Sequence, residues 1–332
     1  MLDFLKTLGR GDRAAAADSG VEQPQQHRPS IGLVLGGGAA RGFAHIGVIK
    51  TLIARGLVPD VIAGTSIGAV VGGCYAAGHL DALESWARSL TSRSVLSYLD
   101  VNLSGSGLIW GHRLARRLEA ELGGITIDDL PFRFAAIATE IGTGHEIWLT
   151  RGNLVEAMRA SYTLPGIFAP VRLGGRWLVD GTLVNPVPVA AARALGARLV
   201  LAVNLNADLF GRGTTIASHG SDVDGEDVFD GLRRNPRGLI GLFGAERMVK
   251  RQFFGRPGRP GISTVMVEAF NVMQDRIARS RLAGDPPDVL VNPRLGTIGL
   301  FEFHRAQEAI ALGAEATEKA LEPLAEALAA LG

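Results

Sequence analysis

The sequence has a single cysteine, Cys74, and almost no net charge. One cysteine cannot form an intrachain disulfide and offers no cluster of metal ligands, so we expect a small buried side chain in a reducing compartment. A formal charge of +1 lacks the basic excess that binding to nucleic acid needs. The start, MLDFLKTLGRGDR, lacks the basic segment and continuous apolar run of a secretory signal. We therefore expect a cytoplasmic protein that binds no nucleic acid.

Charged side chains are missing from one long stretch, Val61 to Leu80, which has roughly the 20 residues of a membrane span. Much of this stretch is Gly, Ala, Ser and Thr. Small residues of this kind suit close packing against neighbouring protein better than contact with lipid tails. We interpret the stretch as part of a buried core, with a transmembrane helix as the alternative.

Length and composition indicate a large buried core. The 332 residues are 47% hydrophobic with a mean hydropathy of +0.20, which suits one large α/β domain or two small ones. The 44 glycines are nearly twice the usual share of roughly 7%. Backbone segments are therefore expected to approach one another, or a ligand, closely.

Composition along the chain predicts a flexible start, a folded domain and an insertion within that domain. Residues 1–30 are rich in Ala, Gln, Pro and charge and are predicted to form a flexible N-terminal segment. The folded domain is predicted at 31–332. Within it, residues 206–263 have many glycines and weak periodicity, and the stretch is long for a connection in a compact domain. We interpret that stretch as a mobile insertion or lid.

Two strand-turn-helix units open the folded part. Ile31–Leu35 is predicted as a buried strand that leads through three glycines into a helix ending near Arg55. A second buried strand near Val61 continues through Gly64-Thr-Ser-Ile-Gly68 into a helix of small residues. Consecutive units of this kind predict a parallel sheet with right-handed crossovers. Further predicted elements are strands at 134–139, 146–150, 199–204 and 289–291, a hairpin at 172–179 and a helix at 301–331.

Ser66 is the candidate nucleophile. It occupies the centre of Gly64-x-Ser66-x-Gly68 between a predicted strand and a predicted helix, which is the position of a nucleophile elbow. The following helix presents its N-terminus to the same place, where its dipole favours negative charge. The pattern by itself also arises by chance in glycine-rich chains. A hydrolase site also needs donors for an oxyanion and a base for the serine.

The second element is the glycine run Gly36-Gly37-Gly38-Ala-Ala-Arg41-Gly42, at the preceding strand-to-helix turn. In adjacent parallel strands the two turns lie side by side at the carboxyl edge of the sheet, so glycine amides can face an oxyanion formed at Ser66. A dinucleotide site is one alternative. Two features disfavour a dinucleotide site. Arg41 occupies the position where the tighter fingerprint has Gly, and no acid follows the second strand to bind a ribose. A purely structural turn is the other alternative.

The third element has to be a base, and no histidine is well placed for that role. His219 lies in the predicted mobile stretch, and His304 and His112 each lie at an apparent helix start. His45 lies within the first predicted helix and is interpreted as a packing or hydrogen-bonding residue. A triad in the order serine, acid, histidine is therefore disfavoured.

Several ordered motifs together resemble those of the patatin-like phospholipases, and more specifically of their bacterial branch related to neuropathy target esterase. The resemblance covers about residues 31–320. The motifs are Gly36-Gly-Gly-Ala-Ala-Arg-Gly42, Gly64-Thr-Ser-Ile-Gly68, Ser161-Tyr-Thr-Leu-Pro-Gly-Ile-Phe-Ala-Pro170, Asp180-Gly181, and Asp285-Pro-Pro-Asp288 with Phe303-His304.

The resemblance implies a patatin-like α/β fold of three layers, α/β/α, with a mainly parallel central sheet. It also implies a serine acyl hydrolase of the phospholipase A or lysophospholipase type that needs no metal or cofactor. Ser66 then takes the position of the nucleophile and Asp180 that of the base. Gly37, Gly38 and Arg41 take the positions of the oxyanion loop. The alternative is a non-catalytic lipid-binding or scaffolding protein of the same fold.

A serine-aspartate dyad sets a physical demand on Asp180. A carboxylate with the usual pKa of about 4 is a weak base toward serine, so burial has to raise the pKa. Apolar neighbours such as Leu178 and Val179 favour that outcome. Thr182 departs from the family, which usually has Gly or Ala after Asp-Gly, and its side chain is expected either to crowd the site or to add a hydroxyl.

A segment at 231–260 mixes eight basic side chains with large apolar ones and has one acid, Glu246. This mixture suits the surface of an anionic membrane, as do the leucines at the start of the chain. We expect the segment to dock the protein peripherally, on the inner face of the membrane, and to admit a lipid substrate. The alternative is a solvated basic loop.

Overall fold

The computed structural model describes residues 29–92, 107–109, 112–209, 255–256, 259–260 and 262–331. The chain divides into two compact units, one made of Met1–Asp208 with Arg276–Gly332 and the other of Leu209–Asp275. Almost all of the predicted N-terminal segment, and most of the predicted lid and of the basic segment at 231–260, lie outside the described residues.

Helices connect most of the strands in the first half of the chain. The strands are β1 (Ile31–Leu35), β2 (Val61–Thr65), β3 (Gly107–Ile109), β4 (Arg133–Glu140), β5 (Glu146–Leu149), β6 (Gly166–Phe168), β7 (Val171–Leu173), β8 (Arg176–Asp180), β9 (Leu199–Val203), β10 (Gly255–Arg256), β11 (Arg259–Pro260) and β12 (Val289–Val291). The helices are α1 (Ala44–Ala54), α2 (Ile67–Ala76), α3 (Leu80–Ser89), α4 (His112–Leu122), α5 (Leu154–Tyr162), α6 (Val189–Ala194), α7 (Ile262–Gly284) and α8 (Ala306–Leu331). No helix within these described ranges is long and apolar enough to cross a membrane.

The main sheet is mixed, with its parallel part in the centre. Its order is β12-β9-β1-β2-β4-β8-β7, and β5 also pairs with β4. The strands from β12 to β4 are parallel, and β5, β8 and β7 are antiparallel to their neighbours. The predicted side-by-side arrangement of the first two turns is confirmed, because β1 pairs with β2 in parallel. The predicted hairpin is confirmed as β7 and β8.

Side chains of the central strands alternate between two hydrophobic cores. In β1, Leu33 and Leu35 belong to the core that also contains residues of α1, α2 and α8, whereas Val34 belongs to the other core. The second core contains residues of α6 and Ala278 of α7. Helices thus cover both faces of the sheet, and the predicted three-layer α/β/α fold is confirmed.

One edge of β4 brings β2 and β8 together. Ala136–Ile137 pair with both β2 and β5, and Ala138–Thr139 pair with both β5 and β8. Because a strand has only two edges, β5 occupies one of them and β2 and β8 follow each other along the other. Thr65 ends β2 opposite Ile137, and Asp180 ends β8 opposite the next residue of β4. The residue after Thr65 therefore lies beside Asp180.

Helices α1 and α8 pack closely through small residues. A Cβ added at Gly313 of α8 would lie 2.0 Å from the carbonyl oxygen of Ala44, and one added at Gly47 of α1 would lie 2.0 Å from that of Ile310. These clashes are with backbone atoms, so a side chain at either position would push the helices apart.

Gly313→Ala is expected to lower the free energy of unfolding by about 2 kcal/mol or more, because overpacking forces a backbone shift that outweighs the helix propensity of alanine. The control is Gly284→Ala at the end of α7, where an added Cβ has no heavy atom within 4 Å. Urea unfolding followed by circular dichroism measures both variants. Equal stability of the two would contradict the packing described for α1 and α8.

Candidate active site

Ser66 lies at a sharp turn between β2 and α2. Its backbone has φ 57° and ψ −124°, and Ala39 is the other non-glycine residue with positive φ in the described ranges. Such a conformation is strained for a residue with a side chain, and strain of this kind is typical of functional sites. A Cβ at Gly68 would lie 2.0 Å from the carbonyl oxygen of Leu35, so only glycine allows the turn to sit this close to β1.

Two side chains hold the backbone of the turn. The amide of Ser66 donates to Oγ of Ser161 at 2.8 Å, and that hydroxyl donates to the carbonyl of Ile137 at 2.6 Å. The hydroxyl of Thr65 donates to the carbonyl of Asn185 at 2.9 Å. Ser161 is completely buried. The strained turn is therefore tied both to β4 and to the segment after β8.

The hydroxyl of Ser66 donates to Oδ2 of Asp180 at 2.6 Å. Asp180 is only 2% exposed. Burial raises the pKa of Asp180 to about 6, against the opposing effect of the hydrogen bonds from Ser66 and Thr182. The structure thus brings together the two residues that the sequence singled out as candidate nucleophile and base, and burial gives the carboxylate the raised pKa that was expected of it.

Thr182 supplies two donors to the same carboxylate. Its amide lies 2.9 Å and its hydroxyl 2.7 Å from Oδ1 of Asp180. The backbone of Asp180 is also held, because its carbonyl accepts from the hydroxyl of Thr139 and its amide donates to Thr163. The side chain of Thr182 therefore contacts the candidate base directly and adds a hydroxyl to the site.

The glycine run lies against Ser66. A Cβ built on Gly37 would be 3.6 Å from Cβ of Ser66 and 2.1 Å from Cγ2 of Thr182. The amide of Gly37 donates to Pro186, and that of Arg41 donates to the carbonyl of Gly38. Neither amide is free to bind an oxyanion in this structure.

Two other backbone amides near Ser66, those of Gly38 and Ile67, donate no hydrogen bond in the part of the chain that the structure describes. Ile67 is the first residue of α2, so its amide also lies at the positive end of that helix dipole. Among the three predicted loop residues, Gly38 is thus the one whose amide can meet a new acceptor.

The side chain of Arg41 holds the glycine run in place through buried hydrogen bonds. Its guanidinium donates to the carbonyl of Ile298 at 2.8 Å and to Oδ1 of Asn206 at 3.2 Å. The amide group of Asn206 in turn donates to the carbonyl of Gly37 at 3.2 Å. Arg41 and Asn206 are both almost fully buried. Their hydrogen bonds fix the direction of the Gly37 carbonyl.

His45 contacts the other end of the glycine run. Its Nε2 lies 2.7 Å from the carbonyl of Gly36, and its ring is fully buried. Burial lowers the pKa of His45 to about 4, so the ring is neutral near pH 7 and donates through Nε2. This position agrees with the hydrogen-bonding role expected from the sequence.

The sequence did not assign a role to several residues of the site. Ser161 begins one of the motifs that carry the resemblance, but the motif indicates no function for it, and Asn185 and Asn206 follow strands as ordinary polar loop residues. Their contacts to the elbow and the glycine run join positions far apart in the chain, which a local pattern does not reveal. No group of three or more His, Cys, Asp or Glu side chains that could hold a metal occurs among the described residues.

The chain is similar to known proteins over most of its length. A family model described as patatin-like phospholipase matches residues 33–193, which include both Ser66 and Asp180. An NTE family protein of Mycobacterium bovis is 35% identical over 337 residues, a match that covers 89% of this chain and 92% of that protein. An NTE family protein of Mycobacterium tuberculosis matches with the same figures.

More distant matches were also found. Lysophospholipase NTE1 of Coccidioides immitis is 35% identical over 183 residues, which are 54% of this chain and 12% of that protein. The crystal structure of VipD from Legionella pneumophila aligns with a TM-score of 0.49 and 13% identity, covering 89% of this chain and 67% of that chain. From the family model and the mycobacterial relatives it follows that the chain belongs to the patatin-like phospholipases, among their NTE family proteins.

Proposed function

We propose that the chain is a serine acyl hydrolase that cleaves acyl esters of lipids through Ser66 and Asp180. The observation that carries the proposal is the hydrogen bond of 2.6 Å between the strained Ser66 and the buried Asp180. Phospholipid or lysophospholipid is the proposed substrate class. The family to which the chain belongs and the lysophospholipase name of a relative support that class.

The first half of the reaction forms an acyl-serine. Asp180 accepts the proton of Ser66 while Oγ attacks the carbonyl carbon of the ester. Negative charge develops on the carbonyl oxygen, where the amides of Gly38 and Ile67 can donate to it. The intermediate then collapses, the bond to the alcohol breaks, and the proton passes from Asp180 to the departing oxygen.

The second half returns the enzyme to its starting state. A water molecule gives a proton to Asp180 as its oxygen attacks the acyl carbon. The bond to Ser66 breaks, Oγ takes the proton back, and the fatty acid leaves. Because Asp180 alternates between carboxylate and acid, a pKa raised by burial makes it a better base than an exposed aspartate without leaving it protonated at neutral pH.

Ser66→Ala is expected to abolish labelling by a fluorophosphonate probe, and Asp180→Asn to slow it by about 100-fold or more, because the hydroxyl loses its base. Gel fluorescence over time measures the rate. Ser85→Ala is the matched control, since Ser85 is an exposed serine on α3. Labelling that survives in Ser66→Ala would remove the nucleophile assignment, and an unlabelled wild type would favour the non-catalytic alternative.

The acid side of the pH profile tests the role of Asp180 and Thr182. Activity needs the carboxylate, so kcat/KM is expected to rise with pH through an apparent pKa of about 6. Thr182→Val removes a hydrogen bond that favours the charged form, which raises the pKa and moves the acid limb up by about one pH unit. Thr182→Ser keeps the hydroxyl and should keep the profile. Superimposable profiles of the valine and serine variants would refute the role of the hydroxyl.

Asn206 is the proposed positioning residue of the oxyanion loop. In a trans peptide the carbonyl and the following amide point in opposite directions, so fixing the Gly37 carbonyl also fixes the amide of Gly38. Asn206→Ala is expected to lower kcat by about 10- to 100-fold with little change in KM, since donation to the oxyanion matters only in the transition state. Steady-state kinetics on a soluble ester measure both constants.

The control for Asn206→Ala is Thr317→Val on α8. That variant also loses a buried hydrogen bond, from the hydroxyl of Thr317 to the carbonyl of Gly313, but far along the chain from the elbow. It is expected to lower the melting temperature and to leave kcat unchanged. If both variants change kcat in proportion to their loss of stability, Asn206 is only a structural residue.

A further inference from the structure

Two chain segments extend past the end of β2, on the side of the sheet where Ser66 lies. The strand β4 runs parallel to β1 and β2, so its C-terminal end lies at the same edge as the elbow after β2. Its pairing with β8 continues one step past Glu140, where the amide of Ile141 donates to the carbonyl of Trp177 at 3.0 Å. The turn at 141–145 and the start of β8 therefore project past the end of β2.

Large apolar side chains are exposed on these segments. Ile141 is 51% exposed and Trp177 is 53% exposed. The two residues are neighbours across the continued ladder, so they form one apolar surface instead of two isolated positions. A contiguous apolar surface on a folded protein marks a binding surface more often than a single exposed residue does.

The charge beside Trp177 is positive. Arg172 of β7 is directly opposite Trp177 in the hairpin, and its guanidinium lies 5.9 Å from the centre of the ring. No carboxylate within the described residues forms an ion pair with it. The nearby acid, Glu140, already accepts two hydrogen bonds from Arg176 and lies 4.0 Å from His145. The guanidinium of Arg172 is thus left to pair with an anion from outside.

We propose that Ile141, Arg172 and Trp177, called here the hairpin surface, dock on an anionic phospholipid surface. The indole and the isoleucine side chain enter the interfacial region, where tryptophan is favoured because one end of its ring is apolar and the other polar. The guanidinium binds lipid phosphate, for which its planar donors are suited. The surface lies at the sheet edge of Ser66, so docking brings lipid esters to that edge. The purpose of this contact rests on the proposed function.

Vesicle binding tests the proposal without hydrolysis. In a Ser66→Ala background, Ile141→Ser with Trp177→Ala is expected to reduce co-sedimentation with vesicles of phosphatidylcholine and phosphatidylglycerol by about tenfold or more, since a large apolar area stays in water. Arg172→Gln is expected to weaken binding to these vesicles and not to pure phosphatidylcholine. The control is Leu290→Ala, a partly exposed apolar residue on β12, which is the outermost strand at the other end of the strand order from β7 and β8.

A fluorescent label gives a second measurement that does not depend on those variants folding. Gly142→Cys places a thiol in the projecting turn, where an added Cβ has no heavy atom within 4 Å. The native Cys74 is buried, and burial raises the pKa of its thiol to about 12, so it does not compete for the label. A polarity-sensitive dye at position 142 is expected to shift its emission to the blue with anionic vesicles, and the same dye on Leu290→Cys is expected not to.

Three results would overturn the proposal: no vesicle binding by the Ser66→Ala protein, equal binding by the control and the double variant, or no dye shift at position 142. A dimer that the double variant converts to monomer, with vesicle binding unchanged, would assign the surface to a second copy instead. Failure of the proposed function is separate, because it appears as no hydrolysis of a monomeric ester by wild-type protein. If wild-type protein cleaves the monomeric ester, the double variant with Ser66 intact is expected to hydrolyse that ester at the wild-type rate and to hydrolyse lipid in vesicles more slowly.

Discussion

The hydrogen bond between Ser66 and Asp180 depends on how β4 is paired. The two residues are 114 positions apart in the chain. Ser66 directly follows β2 and Asp180 ends β8, and both strands pair with the same edge of β4. Backbone pairing in the sheet, and not the reach of long side chains, therefore sets the distance of 2.6 Å. Sites built on strands hold their geometry well, because the register of a ladder allows no small shifts.

The site concentrates features that cost stability. Ser66 and Ala39 have positive φ, and the carboxylate of Asp180 is buried with a raised pKa. Such features persist only where the surroundings over-determine them. Here the surroundings are hydrogen bonds from rigid elements: Ser161 holds the amide of the elbow, and Thr182 donates twice to the carboxylate. The same bonds that compensate the cost also orient Ser66 and the carboxylate of Asp180.

Sequence patterns predicted the parts of the fold that have strong local signals. The buried strands β1, β2, β4 and β9 and the β7–β8 hairpin were predicted within one or two residues, because continuous apolar runs and Gly-Gly turns are local features. The helix α7 was not predicted. Its apolar residues do not concentrate on one face, so the helical period is weak in the sequence. The short α5 was missed although Asn153 caps it.

What the sequence determined by itself is chemistry within one turn of the chain: a serine flanked by glycines between a strand and a helix, a glycine run at the neighbouring turn, and an aspartate among apolar residues. Tertiary structure alone decided which groups meet. In the folded protein the amide of Gly37 donates to the carbonyl of Pro186, and the amide of Gly38 donates to no acceptor in the described residues. The side chain of Asn206 donates to the carbonyl of Gly37. The physical reason is that a hydrogen bond between distant positions depends on strand register and helix packing, which no local pattern contains.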